Sequence, residues 1–133
     1  QSLDLLHRRP DGFAVMTGDD PSLYTMLAHG ADGGILASSH LATELFLDVF
    51  TRMAANDHRG ARTAWARLET LVSLLFKEAN PMPIKYCLWK RGLIGSPDCR
   101  LPLTRISREL AHELDHALQA LTAKPAGERS ITR

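Results

Sequence analysis

"GADGGILASSH", residues 30–40, decides how this chain is read. It places three glycines in five residues, then a short apolar step, then two serines and a histidine. A flexible linker does not carry Ile35 and Leu36. A buried helix does not hold Gly33 and Gly34 side by side, since each costs roughly 1 kcal/mol relative to alanine. What is left is a short buried strand, "GGILA", whose backbone something else approaches closely.

Upstream, "FAVM" (13–16) is a second apolar run, bounded by Gly12 and Gly18, and predicts another buried strand of a parallel sheet. Between the two, Asp20 has N-cap chemistry and Pro21 suits a first helical position. Leu23, Met26 and Leu27 then mark a short helix that ends at Gly30. Leu3, Leu5 and Leu6, followed by basic residues and Pro10, read as the end of an earlier helix. Helix, strand, helix, strand with tight connections is α/β grammar.

Downstream the pattern changes to helices alone. Leu41, Leu45, Phe46, Val49, Phe50 and Met53 mark one helical face. Asp57 suits the cap of the next helix, which carries Trp65, Leu68, Val72, Leu75 and Phe76. "NPMPIK" (80–85) breaks the chain and restarts it as a helix with Ile84, Leu88 and Trp89, closed by Gly92 and Gly95. A last helix is predicted over about 105–122, and residues 123–133 read as a polar tail. Two strands alone want neighbours. The chain is therefore expected to be the C-terminal part of a larger α/β protein.

Composition narrows the function classes. Hydrophobic residues make up 44% and charged residues 23% of 133, which is a globular balance. A net charge of +1 gives no electrostatic reason to expect nucleic acid, and "RGAR" (59–62) is too small a basic cluster to supply one. No apolar run approaches the ~18 residues that span a bilayer. Cys87 and Cys99 form no metal signature and no disulfide framework, so free thiols in a reducing, cytoplasmic setting are expected.

Four pieces in this order, "TGDD" (17–20), "GADGG" (30–34), "NPMPIK" (80–85) and "RLPLT" (100–104), resemble the dihydrodipicolinate synthase and N-acetylneuraminate lyase family. The similarity runs from about Phe13 to Leu121. It implies a C-terminal fragment of a (β/α)8 TIM barrel, with 1–40 holding strands seven and eight. Residues 41–122 are then the last barrel helix and a C-terminal helical extension. Members of the family are class I aldolases or lyases that bind pyruvate as a Schiff base on a lysine, with no cofactor and no metal. Barrel active sites lie at the C-terminal ends of the strands. The resemblance therefore puts Gly18 and the backbone around Ile35 at the pocket rim, as substrate-binding positions.

The same resemblance places the Schiff-base lysine on the sixth strand, upstream of Gln1, and the proton-relay tyrosine and carboxylate-gripping arginine further upstream. No catalytic residue is then expected in this chain, which alone should be inactive. "TGDD" favours the synthase side, 4-hydroxy-tetrahydrodipicolinate formation from pyruvate and aspartate semialdehyde. The sialic acid lyases carry an acidic residue where this chain has Pro21, and a serine where it has Ala37. A different aldehyde partner, as in N-acetylneuraminate lyase or 2-keto-3-deoxy sugar acid aldolases, stays open. The parent is expected to be a homo-oligomer, dimer or tetramer.

Several residues invite other readings. Lys85 follows a proline-rich helix start and sits near Lys90 and Arg91, which does not suit a desolvated nucleophile. "HELDH" (112–116) matches the HExxH pattern of zinc hydrolases. Ile106, Leu110, Leu114, Ala117, Leu118 and Leu121 define the buried side of that helix, which puts His112 and His116 on the polar side. Asp19 and Asp20 suit helix capping before acid–base work, and His40 a loop or capping role. A third reading is a helical interaction module of 41–122. For the isolated chain, the open sheet predicts a loosely held segment over 13–37 and little effect of Gly33→Val on stability. In a complete barrel the same change should crowd the pocket rim.

Overall fold

The computed structural model describes residues 1–122. The elements run α1 (Ser2–Arg8), β1 (Met16–Thr17), a 3-10 turn (Asp20–Ser22), α2 (Leu23–Ala28), β2 (Gly33–Gly34), α3 (Ser39–Ala54), α4 (His58–Leu75), α5 (Met82–Lys90) and α6 (Arg108–Thr122). The expected polar tail lies outside the described residues.

The strands pair parallel, Met16 with Gly33 and Thr17 with Gly34. They are shorter than the predicted runs of 13–16 and 33–37. Flanking backbone bonds extend the contact by one step at each end, from Asp32 N to Val15 O and from Ile35 N to Thr17 O, both 2.9 Å. Among the described residues each strand has one neighbour, so the ladder stops there. Val15 and Thr17 are buried, while Met16 between them is exposed, the period-two alternation of a strand.

Asp32 fastens the entrance to the pair. Its carboxylate accepts from Val15 N at 2.8 Å and from Arg9 at 2.5 Å. The Val15 amide first, and then the Arg9 guanidinium, hold its carboxyl below the ordinary aspartate range against some desolvation. The C-terminal end of α1 is thereby tied to both strands.

The glycine pair has two separate causes. Gly33 has φ +155°, a backbone region that L side chains rarely adopt, and an added Cβ would lie 3.2 Å from the Met16 methyl. At Gly34 an added Cβ would meet Leu36 at 3.0 Å and Leu23 at 3.1 Å. The expectation that Gly33→Val is nearly silent in this chain is therefore corrected: backbone conformation restricts the position.

The segment over 13–37 is also less detached than its open sheet suggests. Leu23, Leu27 and Leu36 are buried in one cluster with Phe46, Val49, Trp65, Leu68 and Val72 of α3 and α4. A second cluster joins Leu41, Leu71, Leu75, Ile84 and Cys87 to Leu110, Leu114 and Leu118 of α6. α4 lies between the two, contributing to both, as its apolar repeat requires.

Local chemistry sets the helix ends. Asp57 caps α4 as predicted, accepting from Gly60 N at 2.9 Å. Arg52, in the last turn of α3, binds both Asp48 and Asp57, at 2.7 and 2.9 Å, and closes the elbow between α3 and α4. The Gly60 amide and then Arg52 hold the Asp57 carboxyl below its usual range. α6 starts at Arg108, three residues later than predicted. Ser107 is the reason: its Oγ accepts from Leu110 N, while Glu78 accepts from Ser107 N and Oγ. Inside α3, Ala42 leaves helical geometry (φ −147°, ψ 45°), and Arg91 donates to the Leu41 carbonyl beside that kink.

Candidate functional site

The C-terminal ends of β1 and β2 bring the two sequence-predicted positions together. Gly18 follows Thr17, and Ile35 follows Gly34, whose Cα partner is Thr17. The Ile35 amide is committed to Thr17 O. The Ile35 side chain is 78% exposed. Gly18 is exposed, and an added Cβ there would meet nothing within 4 Å. The strand ends thus present backbone with little side chain at Gly18, beside one projecting apolar group.

A buried polar latch supports this rim. Asp20 is 2% exposed and Ser38 fully buried. The Asp20 carboxylate accepts from Ser38 N at 2.6 Å, from Ser38 Oγ, and from Ala37 N at 3.4 Å. It ties the turn after β1 to the turn after β2 and to the start of α3. Asp20 was expected to cap the helix at Pro21. That local task falls to Asp19 instead, which accepts from Ser22 N at 3.1 Å through its carbonyl and from Ser22 Oγ through its carboxylate. Nothing in the sequence pattern marks Ser38 and Asp32 as anchors. The one available signal was a short polar side chain beside each glycine or strand end, which is turn chemistry and points to no partner.

His40 is exposed in the first turn of α3, with its amide on Ala37 O at 3.3 Å. Its side chain makes no hydrogen bond to Asp20 or Ser38. None of the described lysines lies on a strand or a strand-end loop. Lys77, just past α4, binds Glu113 at 2.5 Å. Lys85 donates to the Asp98 carbonyl. Lys90 binds Asp115 at 3.0 Å, and Asp115 also accepts from the Tyr86 hydroxyl at 3.0 Å. That trio joins α5 to α6. Burial and the Asp115 carboxylate push the Tyr86 phenol up, and Asp115 does the same for the Lys90 ammonium.

The remaining sequence candidates are dispersed. Cys87 is fully buried, and burial with the nearby Asp115 carboxylate pushes its thiol up to about 12, which removes it as a nucleophile. His112 and His116 are exposed on the side of α6 opposite Leu110, Leu114 and Leu118. Among the described residues, no three His, Cys, Asp or Glu side chains gather to hold a metal ion. No helix among them is long and apolar enough to cross a membrane.

An apolar groove of about 340 Å³ runs along the open edge of the sheet, between Met16, Gly33, Gly34 and Leu36 on one side and Phe46, Leu47 and Phe50 of α3 on the other. Met16, Leu47 and Phe50 are all more than 40% exposed. Among the described residues, nothing covers these side chains fully.

Comparisons with known proteins match both halves of the molecule at once. A sequence model described as the Dihydrodipicolinate synthetase family matches residues 1–121. The 4-hydroxy-tetrahydrodipicolinate synthase 2 of Clostridium acetobutylicum is 46% identical over 118 residues, covering 89% of this chain and 41% of that protein. The 4-hydroxy-tetrahydrodipicolinate synthase of Nitrosomonas eutropha is 41% identical over 111 residues, covering 84% and 37%. Among solved structures, dihydrodipicolinate synthase from Aquifex aeolicus superimposes with a TM-score of 0.84 at 30% identity, covering 89% of this chain and 40% of that one. The chloride-inhibited dihydrodipicolinate synthase from Acinetobacter baumannii, complexed with pyruvate, gives 0.83 at 31%, covering 90% and 41%. The chain spans about two fifths of the length of the relatives it matches.

Proposed function

We infer, for a chain that belongs to the dihydrodipicolinate synthetase family, that it supplies the C-terminal portion of a pyruvate-dependent aldolase of the 4-hydroxy-tetrahydrodipicolinate synthase type. On this reading β1 and β2 are the seventh and eighth strands of a TIM barrel. Residues 41–122 are the last barrel helix and a helical extension. The match over residues 1–121 carries the reading, because it takes in both strands and the helices together.

The chemistry follows from what each part of the chain offers. A Schiff base forms when a lysine amine adds to the ketone of pyruvate and water leaves. The described lysines are all on the helical side and each has an acidic or carbonyl partner. On this reading the nucleophile comes from outside the described residues, on the sixth strand of the barrel. This chain contributes a rim: small at Gly18, latched by Asp20 and Ser38, with the Ile35 backbone turned toward the barrel mouth. A rigid rim holds the aldehyde partner, aspartate semialdehyde, in line with the pyruvate carbon that attacks it. The parent is proposed to act as a homo-oligomer.

The test is complementation. The 133-residue chain alone, incubated with pyruvate and borohydride, should show no stoichiometric mass adduct. Mixed with the N-terminal three fifths of the Clostridium relative, it should produce one, placed on the partner polypeptide, and restore condensation. A stoichiometric adduct on Lys85 or any other lysine of this chain would defeat the reading.

A further inference from the structure

Helix α6 carries a chemical feature that aldol chemistry does not use. His112 and His116 stand one turn apart on its exposed side. Their Nε2 atoms lie 3.2 Å apart, with ring centroids 4.4 Å apart and ring planes at 79°. The two rings meet edge to face, with their Nε2 atoms within hydrogen-bond reach of one another.

That separation also equals the bite of a chelate. With imidazole–metal bonds of about 2.0–2.1 Å, two nitrogens 3.2 Å apart subtend roughly 100° at a shared ion, between the cis octahedral and tetrahedral angles. We propose that His112 and His116 form a two-imidazole chelate on α6 for a borderline divalent transition cation such as Ni²⁺, Cu²⁺ or Zn²⁺. Imidazole selects these ions over Mg²⁺ and Ca²⁺, which take oxygen.

The helix makes the pair a site instead of two loose side chains. Leu110, Leu114 and Leu118 anchor the opposite face of α6 in the second core cluster. Buried packing thereby holds the helix backbone that sets the two histidines one turn apart. Two of the acids on α6 are engaged elsewhere, Glu113 with Lys77 and Asp115 with Tyr86 and Lys90. No third described side chain completes the set. Water fills the other coordination positions, so the site binds a cation without becoming the three-ligand centre of a HExxH hydrolase. This inference stands independently of the aldolase reading.

Calorimetric titration of the 133-residue chain with NiCl₂ in a non-coordinating buffer tests it. One Ni²⁺ should bind. His112→Ala or His116→Ala should each weaken binding roughly a hundredfold, because the second imidazole engages intramolecularly. His58→Ala, at an exposed position on α4, should leave binding unchanged. Both α6 variants should keep the wild-type circular dichroism, since neither ring is buried. Ni²⁺ should raise the wild-type melting midpoint, while Mg²⁺ should not. In the unmodified chain, sub-stoichiometric Ni²⁺ should broaden the ring signals of His112 and His116 before those of the other four histidines. Wild-type affinity in both α6 variants, dependence on His58, earlier broadening at another histidine, or no binding at millimolar Ni²⁺ overturns the proposal.

Discussion

Replacing Asp20 with alanine should cost this chain about 2–4 kcal/mol, as each buried donor left without a partner costs on the order of 1–3 kcal/mol. The carboxylate is 2% exposed and serves Ser38 N, Ser38 Oγ and Ala37 N. Its removal strands the Ser38 amide and hydroxyl where water does not reach. Asp20→Asn should cost roughly 1 kcal/mol, since an amide oxygen at the Oδ1 position still accepts from Ser38 N and Ser38 Oγ, and only the long contact with Ala37 N, at 3.4 Å, meets a donor in place of an acceptor. The neighbouring Asp19→Ala removes only an exposed contact with the Ser22 hydroxyl and should stay within about 1 kcal/mol. Urea denaturation of the three variants decides. Equal, small losses at positions 19 and 20 would mean that the latch does not hold the strand ends.

Gly33→Val should destabilise by about 2–3 kcal/mol. The φ of +155° costs an L residue on the order of 1–3 kcal/mol. A branched side chain then meets the Met16 thioether, which lies 3.2–3.4 Å from even a bare Cβ. Met16 is flexible and partly exposed, so it yields some of that contact. Gly18→Ala is the control, because its Cβ enters open space. It should fall within about 0.5 kcal/mol of wild type. If Gly33→Val melts with the parent chain, the backbone at residue 33 is not restricted in solution.

Much of this architecture is legible in the sequence, for physical reasons that differ by element. Helices α3, α4 and α6 announce themselves because each buries one face at a 3.6-residue period, and Leu41, Leu68 and Leu114 fall where that period puts them. Asp57 is readable because its capping partner, Gly60, is three residues away. Asp20 is misread for the opposite reason. An aspartate before a proline carries a strong local signal, while its true partner lies 18 residues on. The strand lengths are unreadable in a similar way: apolar runs predict where a strand can lie, whereas the ladder length depends on how many neighbours are present. The start of α6 was open to a closer look, since Ser107 is an ordinary N-cap residue one position before the helix. The candidate rim at Gly18 and Ile35 came from the resemblance, and nothing in composition or periodicity singles it out. The bite of His112 and His116 lies between the two extremes: the spacing is in the sequence, and the approach of the nitrogens is in the side-chain arrangement.

The burial of Cys87 has a use outside stability and catalysis. The two thiols of the chain differ in access: Cys87 sits at zero exposure among α4, α5 and α6, while Cys99 is half-buried in the loop before α6. With its thiol pushed up to about 12, Cys87 presents almost no thiolate at neutral pH until the helices part. A thiol reagent therefore keeps two clocks on the molecule. Modification of Cys99 times the surface loop, and modification of Cys87 times the opening of the helical core.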